Sequence, residues 1–370
     1  MNERLIAVYE VPGPAAAAEK LALAIAFEET VEVPLDFPLP QAIRDGIVGK
    51  VGAVTPAGNG RFRVEVDFPA ALASGRVGTL LNLVFGNASI WPGVRLMEVK
   101  WPESFLKSFR GPNFGAAGLR KLLGVAGRPL LATALKPGGS SDAELAEMAA
   151  AFARGGGDIA KDDQNIVDAS FLDFRSRVSR IGDAVARANA ATNGKCVYLP
   201  HLAGPQEELE ARLEFVLKFG LRGVLVCPAI LGLDVVRALA ERHPAVFMAH
   251  PAFSGAFYAD RSHGIETSFY LGTLMRLIGA DVTVFPNAGG RFAFTPEECR
   301  AIAARAKAPL GDLKAALPAP GGGMNLDNTA EMARDFGADS VWLVGGRLLM
   351  HPGGPEAGAR AFRAAMANIV

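Results

Sequence analysis

Eight short apolar runs, each followed by a stretch of helical character, constrain this chain more than any other feature. The runs are Leu130–Lys136, Asp158–Asp163, Cys196–His201, Gly223–Cys227, Ala245–His250, Asp281–Asn287, Ala315–Ala319 and Ser340–Val344. Amphipathic stretches lie between them, such as Asp142–Arg154, Glu207–Phe219, Leu233–Glu241, Pro296–Ala306 and Ala330–Phe336, and Glu356–Ala367 follows the eighth run. Short apolar runs alternating with longer helical patterns specify parallel strands joined by crossover helices. Eight such units over about 250 residues match a (β/α)8 TIM barrel. A doubly wound open sheet is the competing architecture, but it rarely needs eight units.

A chain of 370 residues is too long for one ordinary core, so a second domain is expected beside the barrel. Residues 1–112 have a different grain. Leu5–Tyr9, Ile47–Val54, Arg61–Phe68, Leu80–Phe85 and Gly93–Trp101 read as strands, and Pro14–Phe27 as a helix. Gly58-Asn59-Gly60 is a turn between two of the strands. This predicts an N-terminal α+β, ferredoxin-like domain over 1–112 and a barrel over 113–370. The segment Gly111-Pro112-Asn113-Phe114-Gly115 marks the junction.

Composition excludes several functions. Half the residues are hydrophobic, 21% are charged and the formal net charge is zero, so nothing electrostatic favours nucleic acid or an anionic membrane. The apolar stretch Ala15–Phe27 is too short to span a bilayer, and Glu19 and Lys20 interrupt it. Cys196, Cys227 and Cys299 have no metal-type spacing and make no disulfide framework, which fits a reducing, cytoplasmic location.

In such a barrel the active site lies at the C-terminal ends of the strands. Those ends carry Lys136-Pro137-Gly138-Gly139, Lys161-Asp162-Asp163-Gln164, His201, His250-Pro251, Pro286-Asn287 with Gly289-Gly290-Arg291, Gly321-Gly322-Gly323, and Gly345-Gly346. Charges are costly to bury unless paired or metal-bound, so lysines and carboxylates closing apolar strands point to a site. Alternation along the second strand points Lys161 and Asp163 inward and leaves Asp162 a structural role. Glycines after strands seven and eight, Gly321, Gly322, Gly323, Gly345 and Gly346, suit phosphate binding through backbone N–H groups. The sequence assigns no role to His201 or Arg291, Cys227-Pro228 looks like loop chemistry, and His243 lies at the opposite rim.

These residues resemble a known family. The chain is similar, over nearly its whole length, to the large chain of ribulose-bisphosphate carboxylase, RuBisCO, and more closely to the non-carboxylating RuBisCO-like proteins. The resemblance is carried by Gly111–Gly115, Gly127-Arg128-Pro129-Leu130, Leu135-Lys136-Pro137, Gly156-Gly157-Asp158-Ile159-Ala160-Lys161-Asp162-Asp163, Ser262-His263-Gly264-Ile265, Gly321-Gly322-Gly323, Gly345-Gly346 and His351-Pro352. It implies the RuBisCO large-chain fold. It also implies that Lys161 is carbamylated and binds Mg²⁺ together with Asp163 and the next residue, here Gln164. Lys136 and His250 match catalytic residues of the first and fifth strands. Asn82, and more weakly Glu28, match N-domain residues that reach the substrate of the other subunit, so the active site would be shared across a homodimer.

The departures from the family pattern carry equal weight. Gln164 replaces an acidic metal ligand; its amide oxygen can still coordinate Mg²⁺, with one charge fewer. Gly138, Pro251 and Val284 stand where carboxylases have a lysine, an arginine and a histidine. Gly289-Gly290-Arg291-Phe292 stands where the mobile, CO2-holding lysine belongs. Carboxylation is therefore rejected. One phosphate site remains, and the far end of the cleft lacks matching cations. The resemblance to the shorter group with Ala249–Phe253, Phe285–Asn287 and Pro320–Met324 implies an enolisation-type isomerase acting on 5-methylthioribulose 1-phosphate. The alternatives are the 2,3-diketo-5-methylthiopentyl-1-phosphate enolase step, decarboxylation of a sugar-acid phosphate, or a non-catalytic binding role.

Overall fold

The structure, a computed structural model, describes residues 3–367 and divides them into two compact units. The first unit runs up to Arg110 and includes Ser254–Tyr270 and Pro309–Leu313; the second holds the remainder from Gly111 onward.

The first unit is built on β1 (Arg4–Pro12), β2 (Lys50–Gly58), β3 (Arg61–Pro69) and β4 (Arg95–Lys100). β1 and β3 pair antiparallel from Arg4↔Pro69 to Pro12↔Arg61, and β1 also pairs with β4. Leu5, Ala7, Tyr9 and Val11 are fully buried at alternate positions of β1, the period of a strand with one face on a core. The helix Ala15–Glu28 buries Ala18, Ala22 and Ile25, one stripe at helical spacing, against this sheet.

One sequence expectation fails here. Leu80–Phe85 is not a strand; it is the end of a helix, Val77–Phe85. Val77, Leu80, Leu83 and Val84 are its buried residues, spaced three and four apart. A six-residue apolar window cannot separate the two periods, and the deciding residue, Val77, lies before it. Asn82 consequently sits on the exposed side of a helix.

The second unit contains β5 (Leu130–Leu135), β6 (Ile159–Asp162), β7 (Val197–Leu199), β8 (Gly223–Val226) and β9 (Val246–Ala249). The two-residue β10 (Gly264–Ile265) belongs instead to the first sheet, parallel to β4. β11 (Val282–Pro286), β12 (Leu317–Gly321) and β13 (Val341–Leu343) complete the second sheet. All eight of its strands overlap the eight apolar runs; β12 lies two residues later than Ala315–Ala319. Their hydrogen-bonded order is β7-β6-β5-β13-β12-β11-β9-β8, every pair parallel. A bridge between His201 and Leu225 joins the ends: Leu202 N–H donates to Leu225 O at 2.8 Å and Leu225 N–H to Pro200 O at 2.9 Å. The sheet is therefore closed.

The barrel interior is filled by alternate residues: Leu130 and Ala132, Ile159, Leu199, Leu225, Val246 and Met248, Val282 and Val284, Leu317 and Ala319, Val341 and Leu343. Leu119 and Leu123 of the helix Gly115–Leu123 join the same cluster. Asp281 ties that helix to the strands. Its Oδ1 accepts N–H bonds from Phe114 and Gly115, both at 2.7 Å, and its Oδ2 accepts one from Phe247 at 3.0 Å. Replacing Asp281 by Ala orphans three N–H groups at a fully buried position, so we expect Asp281→Ala to lower unfolding free energy by roughly 3–5 kcal/mol. Urea denaturation followed by circular dichroism measures this; a loss under about 1 kcal/mol contradicts the assigned role.

Candidate active site

The pleat that fills the barrel also builds its mouth. Stepping two residues at a time from the core places Lys136 beyond Leu130 and Ala132, Lys161 and Asp163 beyond Ile159, and His201 beyond Leu199. Cys227 follows Leu225 and His250 follows Met248 in the same way. On the other strands the same parity ends in Pro286, Gly321 and Gly345. Strands β5 to β9 therefore bring titratable groups to the rim, and β11 to β13 bring backbone and small residues.

Strand register explains the closest contact. β5 and β6 pair Ala134 with Lys161 and Leu135 with Asp162, which sets Lys136 beside Asp163. Lys136 Nζ lies 2.7 Å from Asp163 Oδ2, and Asn165 N–H donates to Asp163 Oδ1 at 3.1 Å. Burial disfavours the Asp163 carboxylate, but the Lys136 hydrogen bond, the Asn165 N–H and the two lysine charges together hold its pKa below the ordinary value.

Lys161 is only 1% exposed, and its Nζ donates to Asp162 O at 2.9 Å. Burial lowers its pKa to about 8; Asp163 resists this shift and Lys136 reinforces it. Lys136, by contrast, is 37% exposed and ion-paired. Lys161 therefore loses its proton at about pH 8, well below the ordinary lysine value.

His250 is pushed down to about 3, first by burial and then by the Lys161 charge, and is neutral. Ala252 N–H donates to its Nδ1 at 3.2 Å. An amide can only donate, so the ring proton sits on Nε2. His250 is therefore a hydrogen-bond donor toward the mouth rather than a base.

The neighbouring carboxylate has a different fate. Asp162 points outward and is completely buried; it takes an ion pair from Arg177, the Tyr198 hydroxyl at 2.8 Å and His201 N–H at 2.8 Å. Arg177 also binds Asp168 with Nε and Nη2, at 2.8 and 2.7 Å. It comes from Phe171–Thr192, the longest helix, and escaped the sequence reading. The available signal was an arginine on the buried stripe Phe174, Val178, Ile181, Val185. Buried arginines need a buried anion.

The glycine loops meet one another and Lys136. Gly322 and Gly323 have positive φ, and a Cβ on Gly323 would stand 2.9 Å from Gly290 N, so the loops after β11 and β12 touch. A Cβ on Gly345 would stand 3.8 Å from Lys136 Cε. Gly345 caps the short helix Gly346–Leu349, and its carbonyl accepts from Leu348 N–H at 3.0 Å and Leu349 N–H at 3.2 Å. Arg291 lies over the Phe292 ring at 6.0 Å. Val284 is buried in the barrel core. His243, at the opposite end of its strand, pairs with Glu210 at 3.0 Å. Asn82 and Glu28 belong to the first unit, where Glu28 accepts from Asn87 at 2.9 Å.

Among the described residues no cluster of three or more His, Cys, Asp or Glu could hold a metal. The donor set of Lys161, Asp163 and Gln164 contains one carboxylate and one amide, so it suits a divalent cation only when Lys161 becomes an anion. A buried lysine with a lowered pKa is the form that can add CO2, because carbamate formation needs the neutral amine.

The depressed lysine makes a prediction. Between about pH 8 and 10.5 the folded state has released the Lys161 proton that the unfolded chain still binds, so stability rises with pH in that window. Below it the buried charge costs on the order of 3 kcal/mol. We expect Lys161→Met to be more stable than the parent below pH 8 in CO2-free buffer, with the difference vanishing by pH 10.5. Parallel urea titrations across pH test it, and equal stabilities at pH 7 contradict it.

Comparison with known proteins identifies the family. Residues 115–370 match the family described as ribulose bisphosphate carboxylase large chain, catalytic domain. A 5-methylthioribulose-1-phosphate isomerase from Rhodospirillum rubrum is 40% identical, covering 94% of this chain and 92% of its own. A 2,3-diketo-5-methylthiopentyl-1-phosphate enolase from Geobacillus kaustophilus is 33% identical over 84% of this chain and 76% of its own. The crystal structure of a Rubisco-like protein from Rhodopseudomonas palustris superimposes with a TM-score of 0.89 at 38% identity, covering 100% of this chain and 99% of that one. The chain belongs to the RuBisCO large-chain family, within its RuBisCO-like enzymes, whose relatives are named as isomerase and enolase rather than carboxylase.

Proposed function

We propose that this protein is an enolisation-type isomerase of a ketose monophosphate, 5-methylthioribulose 1-phosphate, serving methionine salvage. The observation that carries this is the fully buried Lys161 beside the Lys136–Asp163 ion pair, on a barrel mouth whose other half is glycine loops. The isomerase name of the Rhodospirillum rubrum relative supports the choice of substrate.

The roles follow from the chemistry of each group. Lys161 takes the proton next to the ketone, as the free amine or through its carbamate. Negative charge then develops on the ketone oxygen. The Lys136 ammonium and the Nε2–H of His250 stabilise that charge, and burial of His250 strengthens its share. Backbone N–H groups of Gly321, Gly322, Gly323, Gly345 and Gly346 receive the phosphate. With Gly138 and Pro251 at the strand ends and Val284 withdrawn into the core, no second set of cations is supplied there, which favours a monophosphate. When Lys161 is carbamylated, it would hold Mg²⁺ with Asp163 and Gln164, and the metal would supply Lewis-acid polarisation of the substrate oxygen. Asn82 would complete the site from the other copy of the chain in a homodimer.

The enolase reaction of the Geobacillus kaustophilus relative uses the same proton abstraction and is the second reading. Incubation with the ketose phosphate in D2O tests both. We expect loss of the α-proton signal, and a rate lower by on the order of 10³ in Lys161→Ala. No exchange by the parent protein, with or without Mg²⁺ and bicarbonate, ends the proposal, and product NMR separates isomerase from enolase. Stimulation by Mg²⁺ with bicarbonate is expected for the carbamate site; an unchanged rate removes the metal from the mechanism.

Sharing of the site gives a separate outcome. Mixing inactive Asn82→Ala and Lys161→Ala proteins, after subunit exchange, should restore about a quarter of the parent sites in a randomly paired homodimer. An inactive mixture whose subunits have exchanged places Asn82 outside the active site.

A further inference from the structure

Enolisation explains Lys136, Lys161, Asp163 and His250, but leaves two inward-facing side chains of the same mouth unused. His201 Nδ1 lies 3.1 Å from Ile166 O, and its Nε2 lies 3.6 Å from Cys227 Sγ. A carbonyl oxygen can only accept, so the ring proton is on Nδ1. Burial also keeps this imidazole neutral by lowering its pKa. Nε2 is then a bare acceptor, and the only hydrogen available to it in this contact is the Cys227 S–H. The two contacts thus order one chain of donors, from the thiol to the imidazole to the Ile166 carbonyl.

The pair is placed with care. His201 N–H is anchored on the buried Asp162 carboxylate at 2.8 Å, and the His201–Leu225 bridge is the one that closes the barrel. Cys227 is two residues beyond Leu225, on the inward parity, and only 2% exposed. It feels the charges of Lys161 and Asp163 across the mouth. A purely space-filling residue at this position needs no hydrogen-bond donor and no tautomer-fixed partner. By contrast, Cys196 meets the Val197 carbonyl and the Ala160 backbone, and Cys299 meets the Pro286 carbonyl and the Ala288 backbone; these contacts set neither thiol against an imidazole.

We propose that Cys227 is the second proton-handling residue of this site, returning a proton to the substrate carbon that is remade, and that His201 is the residue that positions it. This rests on the enolisation proposed above. The steps balance without any other reactant. The Lys161 side chain takes the carbon-bound proton, leaving the enediolate. The Cys227 S–H bond breaks as a new C–H bond forms at the former ketone carbon, the hydroxyl proton of the carbon that lost its hydrogen passes to the former ketone oxygen, and a thiolate is left on Cys227. The proton held at Lys161 then passes to that thiolate, restoring both groups.

Two readouts of one experiment separate the steps. The full-length protein is incubated with 5-methylthioribulose 1-phosphate in D2O. Loss of the substrate α-proton and appearance of isomerised product are both followed by proton NMR. In Cys227→Ala, exchange into recovered substrate should stay within about threefold of the parent, while product formation falls on the order of 10². Cys227→Ser keeps a donor in place and should recover part of the product rate. His201→Gln should shift the ratio of exchange to product in the same direction, by a smaller factor, which a merely structural defect would not do. Thermal melts confirm that each variant is folded. Product formation unaffected in Cys227→Ala, or exchange and product falling together by the same factor, overturns the proposal while enolisation stands. A parent protein that neither exchanges nor turns over the substrate overturns both.

Discussion

The two-residue pleat of eight parallel strands is the constraint on which the rest of this structure depends. One parity of each strand fills the barrel with Leu, Ile, Val, Ala and Met side chains. The same parity, continued past the last core layer, presents Lys136, Lys161, Asp163, His201, Cys227 and His250. No extra device is needed to aim these groups at one another. A one-residue slip of β6 would send Lys161 and Asp163 outward and bring Asp162 in, exchanging the site for its scaffold.

Asp162 and Asp163 show how sharply neighbouring residues can differ. Both are buried carboxylates at the end of one strand. The outward one is saturated by Arg177, Tyr198 and His201 N–H, which makes it part of the frame. The inward one is held by Lys136 and one backbone N–H, so it keeps coordination capacity in the cleft. The frame then determines the chemistry indirectly. Arg177 fixes Asp162, Asp162 fixes the His201 backbone, and His201 closes the barrel beside Cys227. The mouth is consequently asymmetric: β5 to β9 supply titratable side chains, and β11 to β13 supply backbone and small residues.

Much of this was legible in the residues. Each of the eight strands lies on a run identified from apolar length and flanking turns, because parallel barrel strands are buried on both faces and need no subtle periodicity to stand out. The outward placement of Asp162 was legible for the same reason that the core was, since alternation is a property of the chain alone. Leu80–Phe85 was not legible. Its apolar residues satisfy both periods over six positions, and the helix there is fixed by packing at Val77. Arg177 was also invisible as a partner of Asp162, since fifteen residues of sequence separate them and only the helix return brings them together.

Sequence by itself determined the number of barrel strands, the end at which they present titratable residues, and the residue types available there, because these follow from local spacing and chain direction. Only the tertiary structure decided which charges are paired, which lysine is stripped of water, and which nitrogen of each histidine carries the proton. Those properties depend on distances between strands far apart in sequence. Lys136 and Lys161 are both strand-end lysines on paper. One is held in an ion pair and the other has its pKa lowered to about 8, because Asp163 faces the first and the closed barrel excludes water from the second.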